Sequence, residues 1–318
     1  MASVVWHPEA VSTQRSRPGL LGFRISATGS AGLDWPLLDA TWARAGEFAA
    51  FDAGWMSDHL SNASQERGGV AFEALTTLAA LAHRVPGRWL GVAVASATFR
   101  HPAVLAKAAT VLDNVTGGRF ILGVGAGWHE GEHDAFGIPL PPLRERFDRF
   151  ESTLRVLAAL FGPEAAPGRG VTLDDPQFPL RMATNEPAPV RPGGPMIWLG
   201  GQRPRGIGLA VRFAEGWPMP GNRPGDVPYF ARKRDEIRRA LAAAGRDPDD
   251  FMFAAQLDCG TSVESRRAAL ATARRFVSAG ANHLILGVPA IAGPDGLAAM
   301  AIEVAEPMAE RGVPSLNA

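Results

Sequence analysis

The chain has 318 residues, 32 of them basic and 32 acidic, for a formal net charge of zero. That balance offers no charge excess to hold nucleic acid or an anionic membrane. A single cysteine, Cys259, excludes an intrachain disulfide and a cysteine-built zinc site, and Lys107 and Lys233 are the only lysines able to serve as Schiff-base nucleophiles.

Residues 1–18 are polar, with Arg15 and Arg17 and no apolar stretch, and read as an N-terminal extension rather than a signal peptide. No run approaches the ~20 apolar residues of a membrane helix, so a cytoplasmic location is expected. A first strand is predicted over 20–25 and a helix over 35–53, where apolar residues recur at helical spacing. A short second strand, 55–57, delivers Asp58 and His59 to its C-terminal end. A polar loop, 61–69, leads to a helix over 72–83, a strand over 88–95 and a helix over 102–115 with Pro102 at a permitted first-turn position. Thr116, Gly117 and Gly118 form the closing turn. The apolar run 119–124 suits a strand buried on both faces of a parallel sheet. A helix over 144–160 follows. Residues 163–195 then break the rhythm with eight prolines and four glycines. They read as a structureless insertion near the active site. Order returns with a strand at 196–199, a helix at 204–214, a weak strand at 216–219 and a helix at 226–244. A strand at 251–257, a helix at 262–279, a strand at 283–286 and a last helix at 296–311 complete the chain.

Eight strand–helix units predict one α/β domain over 1–318, a (β/α)8 TIM barrel with an insertion after the fourth helix. A doubly wound sheet would not require eight units. Barrel chemistry sits where strands present their C-terminal ends. That rule selects Asp58 and His59, residues 93–98, residues 125–128, Gly200 and Gly201, and Asp258 and Cys259.

The residue types at those ends carry their own chemistry. A histidine at a strand mouth can give a proton or hold a hydroxyl, and Asp58 stands ready to orient His59. Gly125 and Gly127 let backbone approach a ligand, and Trp128 supplies a rigid wall. The run Gly123-Val124-Gly125-Ala126-Gly127 misses the third glycine of a dinucleotide fingerprint, because Trp128 stands in its place. HEGEH at 129–133 matches H-E-x-x-H literally. Gly127, Gly131 and Pro139 leave little helix around it, no third ligand stands out, and no metal is expected. Gly200, Gly201 and Gln202 precede a helix whose first-turn N–H groups, with Arg203 and Arg205, form a candidate anion cradle.

The stretch GGRFILGVGAGWHEGEHDAFGIPLPPLRERFDRFE, residues 117–151, resembles the bacterial luciferase-like oxidoreductases, above all their branch dependent on the deazaflavin coenzyme F420. GWMSDH at 54–59 is similar to the family segment whose Asp–His pair lies by the coenzyme ring. The resemblance implies that Asp58 and His59 act there, with the histidine assisting proton transfer. It places a non-proline cis peptide supporting the middle ring at Ala93-Val94, aligned through Phe99-Arg100-His101-Pro102. It assigns the coenzyme phosphate to Gly200-Gly201, followed by a helix and Glu215-Gly216-Trp217. The chain departs from the family at Leu75, where an aromatic is frequent, so substrate analogies do not carry over. The implied function is hydride transfer between C5 of F420 and a small organic substrate, in a homodimer. An FMN-dependent monooxygenase on the same scaffold is the alternative, and a non-catalytic ligand-binding barrel a second.

Overall fold

A computed structural model describes residues 16–26, 33–61 and 70–310 of the protein. The loop predicted at 61–69 and the extension at 1–18 fall almost wholly outside these residues. The strands are β1 (Leu21–Ser26), β2 (Ala53–Met56), β3 (Trp89–Ser96), β4 (Phe120–Gly125), β5 (Val171–Leu173), β6 (Leu180–Ala183), β7 (Met196–Leu199), β8 (Gly216–Pro218), β9 (Met252–Asp258) and β10 (His283–Pro289). All but β5 and β6 close one barrel in the order β1-β10-β9-β8-β7-β4-β3-β2. Every barrel pair is parallel. In that ring β3 and β4 stand across the lumen from β9 and β10. The helices are α1 (Trp35–Gly46), α2 (Ala74–Leu81), α3 (Pro102–Val115), α4 (Glu130–Ala135), α5 (Leu143–Phe161), α6 (Pro204–Phe213), α7 (Val227–Ala243), α8 (Val263–Ser278), α9 (Gly293–Met300) and α10 (Glu306–Ala309).

Strand alternation divides the core in two. Phe23, Leu90, Leu122, Leu257 and Leu286 face outward and pack with helix residues such as Trp42, Leu78 and Phe276. Trp55, Trp89, Ile121, Trp198, Met252 and Ile285 face the lumen. The rings of Trp55 and Trp198 lie 5.0 Å apart, and each packs on His283, at 5.4 and 5.7 Å. Trp55 Nε1–H donates to His283 Nε2 at 3.0 Å, and His283 Nδ1–H donates to the Gly19 carbonyl at 2.6 Å. That fixes a neutral ring. Burial pushes its pKa down to about 4, against the opposing bond to Gly19. Room for the indoles comes from glycine: a Cβ on Gly91 would lie 2.3 Å from Trp55, and one on Gly216 2.4 Å from Trp198.

The fold departs from the sequence expectations in four places. α1 stops at Gly46, not at 53, and Gly46 leaves room for the Arg84 carbonyl, which a Cβ there would meet at 2.2 Å. The chain then turns, and Asp52 N–H donates to Leu21 O at 2.7 Å while its carboxylate accepts from Leu21 N–H, which starts β2 two residues early. α4 is a helix despite Gly131, since His129 Nδ1 caps it by accepting from Glu132 N–H at 2.9 Å. The last helix starts at Gly293 and widens into a π-turn over Ala301–Ala305, where Pro307 lacks the N–H that would continue the regular ladder.

The fourth departure is the insertion, which is not structureless. β5 and β6 form an antiparallel hairpin. Between them buried Asp175 accepts from the N–H groups of Gln177 and Phe178 and from Arg155 Nε. Phe178 packs against His101, ring to ring at 5.0 Å, and under Arg149. Further on, Asp113 accepts from the N–H groups of Val190 and Arg191, Asn185 donates to Thr110, and Arg191 pairs with Glu215 at 2.6 Å. These anchors run along α3 and α5, apart from Glu215 in the turn before β8.

Candidate active site

Above the indole floor the lumen wall formed by β3, β4 and the end of β7 is lined by small residues. β3 slips by one residue against β4 between Val92 and Ala95, a bulge that holds Ala93 and Val94. Ala93 packs on the lumen cluster. Val94 lies over the glycines of the neighbouring wall: added Cβ atoms on Gly123, Gly125 and Gly200 would stand 3.1, 2.8 and 3.7 Å from its methyls. The Ala93–Val94 peptide is cis, where the family resemblance places it. Among the described residues a Cβ on Gly200 would meet only Val94 within 4 Å. The result is a low shelf that rises no higher than a valine.

His59 stands beside this shelf, three residues beyond β2. Its Nδ1–H donates to Glu132 Oε2 at 3.1 Å. Glu132 Oε1 accepts from the N–H groups of Leu60 and Ser61, so one buried carboxylate holds both the imidazole and its backbone. Burial alone would raise the Glu132 pKa. The bonds from His59, Ser61 and Leu60 outweigh burial and hold it below the ordinary glutamate value. With Nδ1–H committed, the neutral ring presents Nε2 as an acceptor and the protonated ring presents it as a donor. Trp128 meets His59 edge-on, ring centroids 6.3 Å apart, and is 66% exposed. An indole that open is not there for core packing.

Asp58 does not orient His59. It is buried and bound in a fork by Arg100, Nη1 and Nη2 each at 2.7 Å, and also accepts from Ser96 N–H at 2.9 Å. Arg100 reaches on to Glu73, whose carboxylate caps α2 through Thr76 N–H. This network ties the loops after β2 and β3 to α2, so Asp58 supports the site without touching the imidazole. Both motif histidines are likewise spent on structure, His129 as cap and His133 between Thr98 Oγ1 and the His129 carbonyl at 2.7 Å each, while Glu132, at a variable position of the match, holds His59. Gly127 leaves no room for a side chain beside Thr98 Oγ1, 2.6 Å from an added Cβ, and its carbonyl accepts from Arg146.

At β7 the glycine pair has two jobs. Gly200 faces the open shelf. Gly201 lets α6 approach, since its Cβ would lie 2.6 Å from the Gly206 backbone. The Gly201 carbonyl accepts from Trp217 Nε1 and the Gln202 side-chain oxygen from Tyr229 OH. Arg205 is not aimed at an anion: it pairs with Asp148 at 2.5 Å and lies over the Phe147 ring. The cradle therefore reduces to the α6 first turn and the exposed Arg203 at its cap. Leu75 is buried in the outer core. Burial pushes the Cys259 thiol up to about 12, so it is no nucleophile.

Sequence reasoning selected Asp258 at a strand mouth but missed its partners on the opposite wall. Arg24 on β1 and Gln256 and Asp258 on β9 point into the lumen, and Arg24 donates to Gln256 Oε1. A charge inside the apolar run LGFRI was the available signal. Glu132 was in view only as a variable position inside the H-E-x-x-H match.

Residues 36–311 match the profile of the luciferase-like monooxygenases. A phthiodiolone/phenolphthiodiolone dimycocerosates ketoreductase from Mycobacterium bovis is 35% identical over 215 residues, 62% of this chain and 54% of the relative. An F420-dependent glucose-6-phosphate dehydrogenase from Microbacterium testaceum is 31% identical over 205 residues, 64% of this chain and 58% of that protein. The matches thus span little more than half the length of these curated relatives. The coenzyme F420-dependent tetrahydromethanopterin reductase of Methanopyrus kandleri shares the fold at 16% identity and a TM-score of 0.70, over 91% of this chain and 99% of that one.

Proposed function

The chain belongs to the luciferase-like monooxygenase family, and from that premise we propose that it is a coenzyme F420-dependent oxidoreductase moving a hydride between the deazaflavin C5 and a small organic substrate. The observation that carries this reading is the low shelf of Ala93, Val94, Gly125 and Gly200 with His59 at its edge. A flat ring fits where no side chain larger than valine stands. Trp128 walls one side. Gly201 and the first turn of α6 beyond Pro204 offer N–H groups and the positive helix end to the coenzyme phosphate, while the Gly200 N–H stays with the Val124 carbonyl.

The coenzyme supplies the hydride chemistry; the chain supplies position and proton handling. Well-oriented reactants are worth roughly 7–11 kcal/mol of barrier. His59 Nε2 holds the substrate oxygen and exchanges its proton as the carbon bonded to it gains or loses hydride. Glu132 keeps the other ring nitrogen protonated and steadies the imidazolium when it forms.

Absorbance of purified protein after incubation with F420 and with FMN tests the assignment. Tight FMN binding with none of F420 reverses it. The family's description as monooxygenases supports the second reading, an FMN-dependent enzyme that activates oxygen on the same shelf.

A further inference from the structure

The lumen wall opposite the shelf carries a buried cation that the coenzyme reading leaves unused. Arg24 is 7% exposed. Parallel register sets it beside Gly287 and sets Gly287 beside Asp258, so cation, bare backbone and anion share one level on three strands. A Cβ on Gly287 would lie 2.5 Å from Asp258 Oδ1 and 3.5 Å from Arg24 Nη2. The guanidinium crosses the gap that this glycine leaves.

Its pairing is thin. Nη1 donates to Gln256 Oε1, Nη2 stands 3.5 Å from Asp258 Oδ1, and Nε has no partner among the described residues. The Asp258 side chain is 49% exposed, so water screens its charge. Gln256 is already spent, donating through Nε2 to Met219 O. A guanidinium has five N–H groups in a planar fork, and holding it out of water with so few acceptors is costly. Burial pulls the Arg24 pKa down, only partly offset by Asp258. An oxygen-rich ligand entering from the mouth would supply what is missing. Gly221, whose Cβ would stand 3.8 Å from Arg24 Nη1, leaves space there.

We propose that Arg24, steadied by Gln256 and Asp258, binds a carboxylate on the substrate, so that the enzyme acts on small organic acids whose reacting carbon lies toward His59 and the shelf. This rests on the reading of the barrel mouth as the substrate site. The guanidinium fork matches a carboxylate in geometry as well as charge, which a neutral amide or ketone cannot do.

The test is isothermal titration of the full chain with pentanoate and 4-oxopentanoate, against pentanamide and 2-pentanone as neutral isosteres. The acids are expected to bind at least tenfold more tightly than the isosteres. Arg24→Gln should erase that preference and Arg24→Lys keep part of it. Equal binding of acid and isostere, failure of both acids to bind, or a preference surviving in Arg24→Gln overturns the proposal. The melting temperature of Arg24→Gln is read alongside. A ligand role predicts no loss, and a clear drop would mark Arg24 as a structural residue and overturn it too. F420 binding is scored separately by absorbance: its absence with the acid preference intact strikes the coenzyme assignment alone.

Discussion

Nδ1 of His59 and Oε2 of Glu132 lie 3.1 Å apart, although the two residues are 73 positions apart in the chain. The neighbour in sequence, Asp58, faces away to Arg100. The imidazole is thus oriented by the helix after β4, not by its own loop. Glu132→Gln is expected to lower kcat by roughly tenfold to a hundredfold, the scale of a small misplacement of a reacting group. Coenzyme affinity should barely change, and the pH profile of kcat should shift. His59→Ala should cost more, roughly 10²–10⁴ in rate. Steady-state kinetics with fluorimetric coenzyme binding checks both.

Removing Arg100 should unfold rather than merely slow the enzyme. Arg100→Met leaves Asp58 buried without its fork, and breaking such a pair from one side costs about 3–5 kcal/mol. A urea melt should show the lower midpoint. An unchanged midpoint would mean that water reaches Asp58.

The two adjacent glycines at the end of β7 predict opposite phenotypes. Gly200→Ala meets Val94 at an ordinary van der Waals distance of 3.7 Å and should leave the melting temperature intact while weakening coenzyme binding at least tenfold. Gly201→Ala meets the Gly206 backbone at 2.6 Å and should destabilise the fold. Thermal melts and binding titrations on the two variants separate the roles.

His283 makes the barrel acid-sensitive. Its pKa is about 4 folded and 6.5 in the unfolded chain. Above 6.5 both states are neutral and the residue adds no slope. As pH falls from 6.5 to 4 the unfolded chain takes up the proton and the folded one does not, so stability declines, by roughly 3 kcal/mol at 1.36 per unit. Below 4 the effect levels off. His283→Gln should flatten stability against pH inside that window, measured by denaturant midpoints at closely spaced pH. An unaltered slope would sink the assignment.

Much of the barrel was legible because buried parallel strands write themselves as short apolar runs, as in 119–124 and 196–199, each followed by a helical period. The shelf was legible too, since glycines at a strand end have few other uses. Pairings across the barrel were not. Nothing near Glu132 announces that it reaches the backbone of Leu60, and Asp58 beside His59 invited the wrong partner. Arg205 read as a free cation because Asp148, 57 residues away, is invisible from its surroundings. The hairpin at 171–183 was hidden by proline density, which marks turns whether or not strands lie between them.

Trp55 and Trp198 lie sealed beneath the shelf, away from quenching by water. A chromophore resting on Val94 would sit directly above them, close enough to drain their emission by resonance transfer. If the proposed coenzyme binds there, the native chain carries its own optical gauge of occupancy, readable without a label. Trp128→Phe removes the exposed indole at the site, so that change in the remaining emission weighs toward the two floor rings.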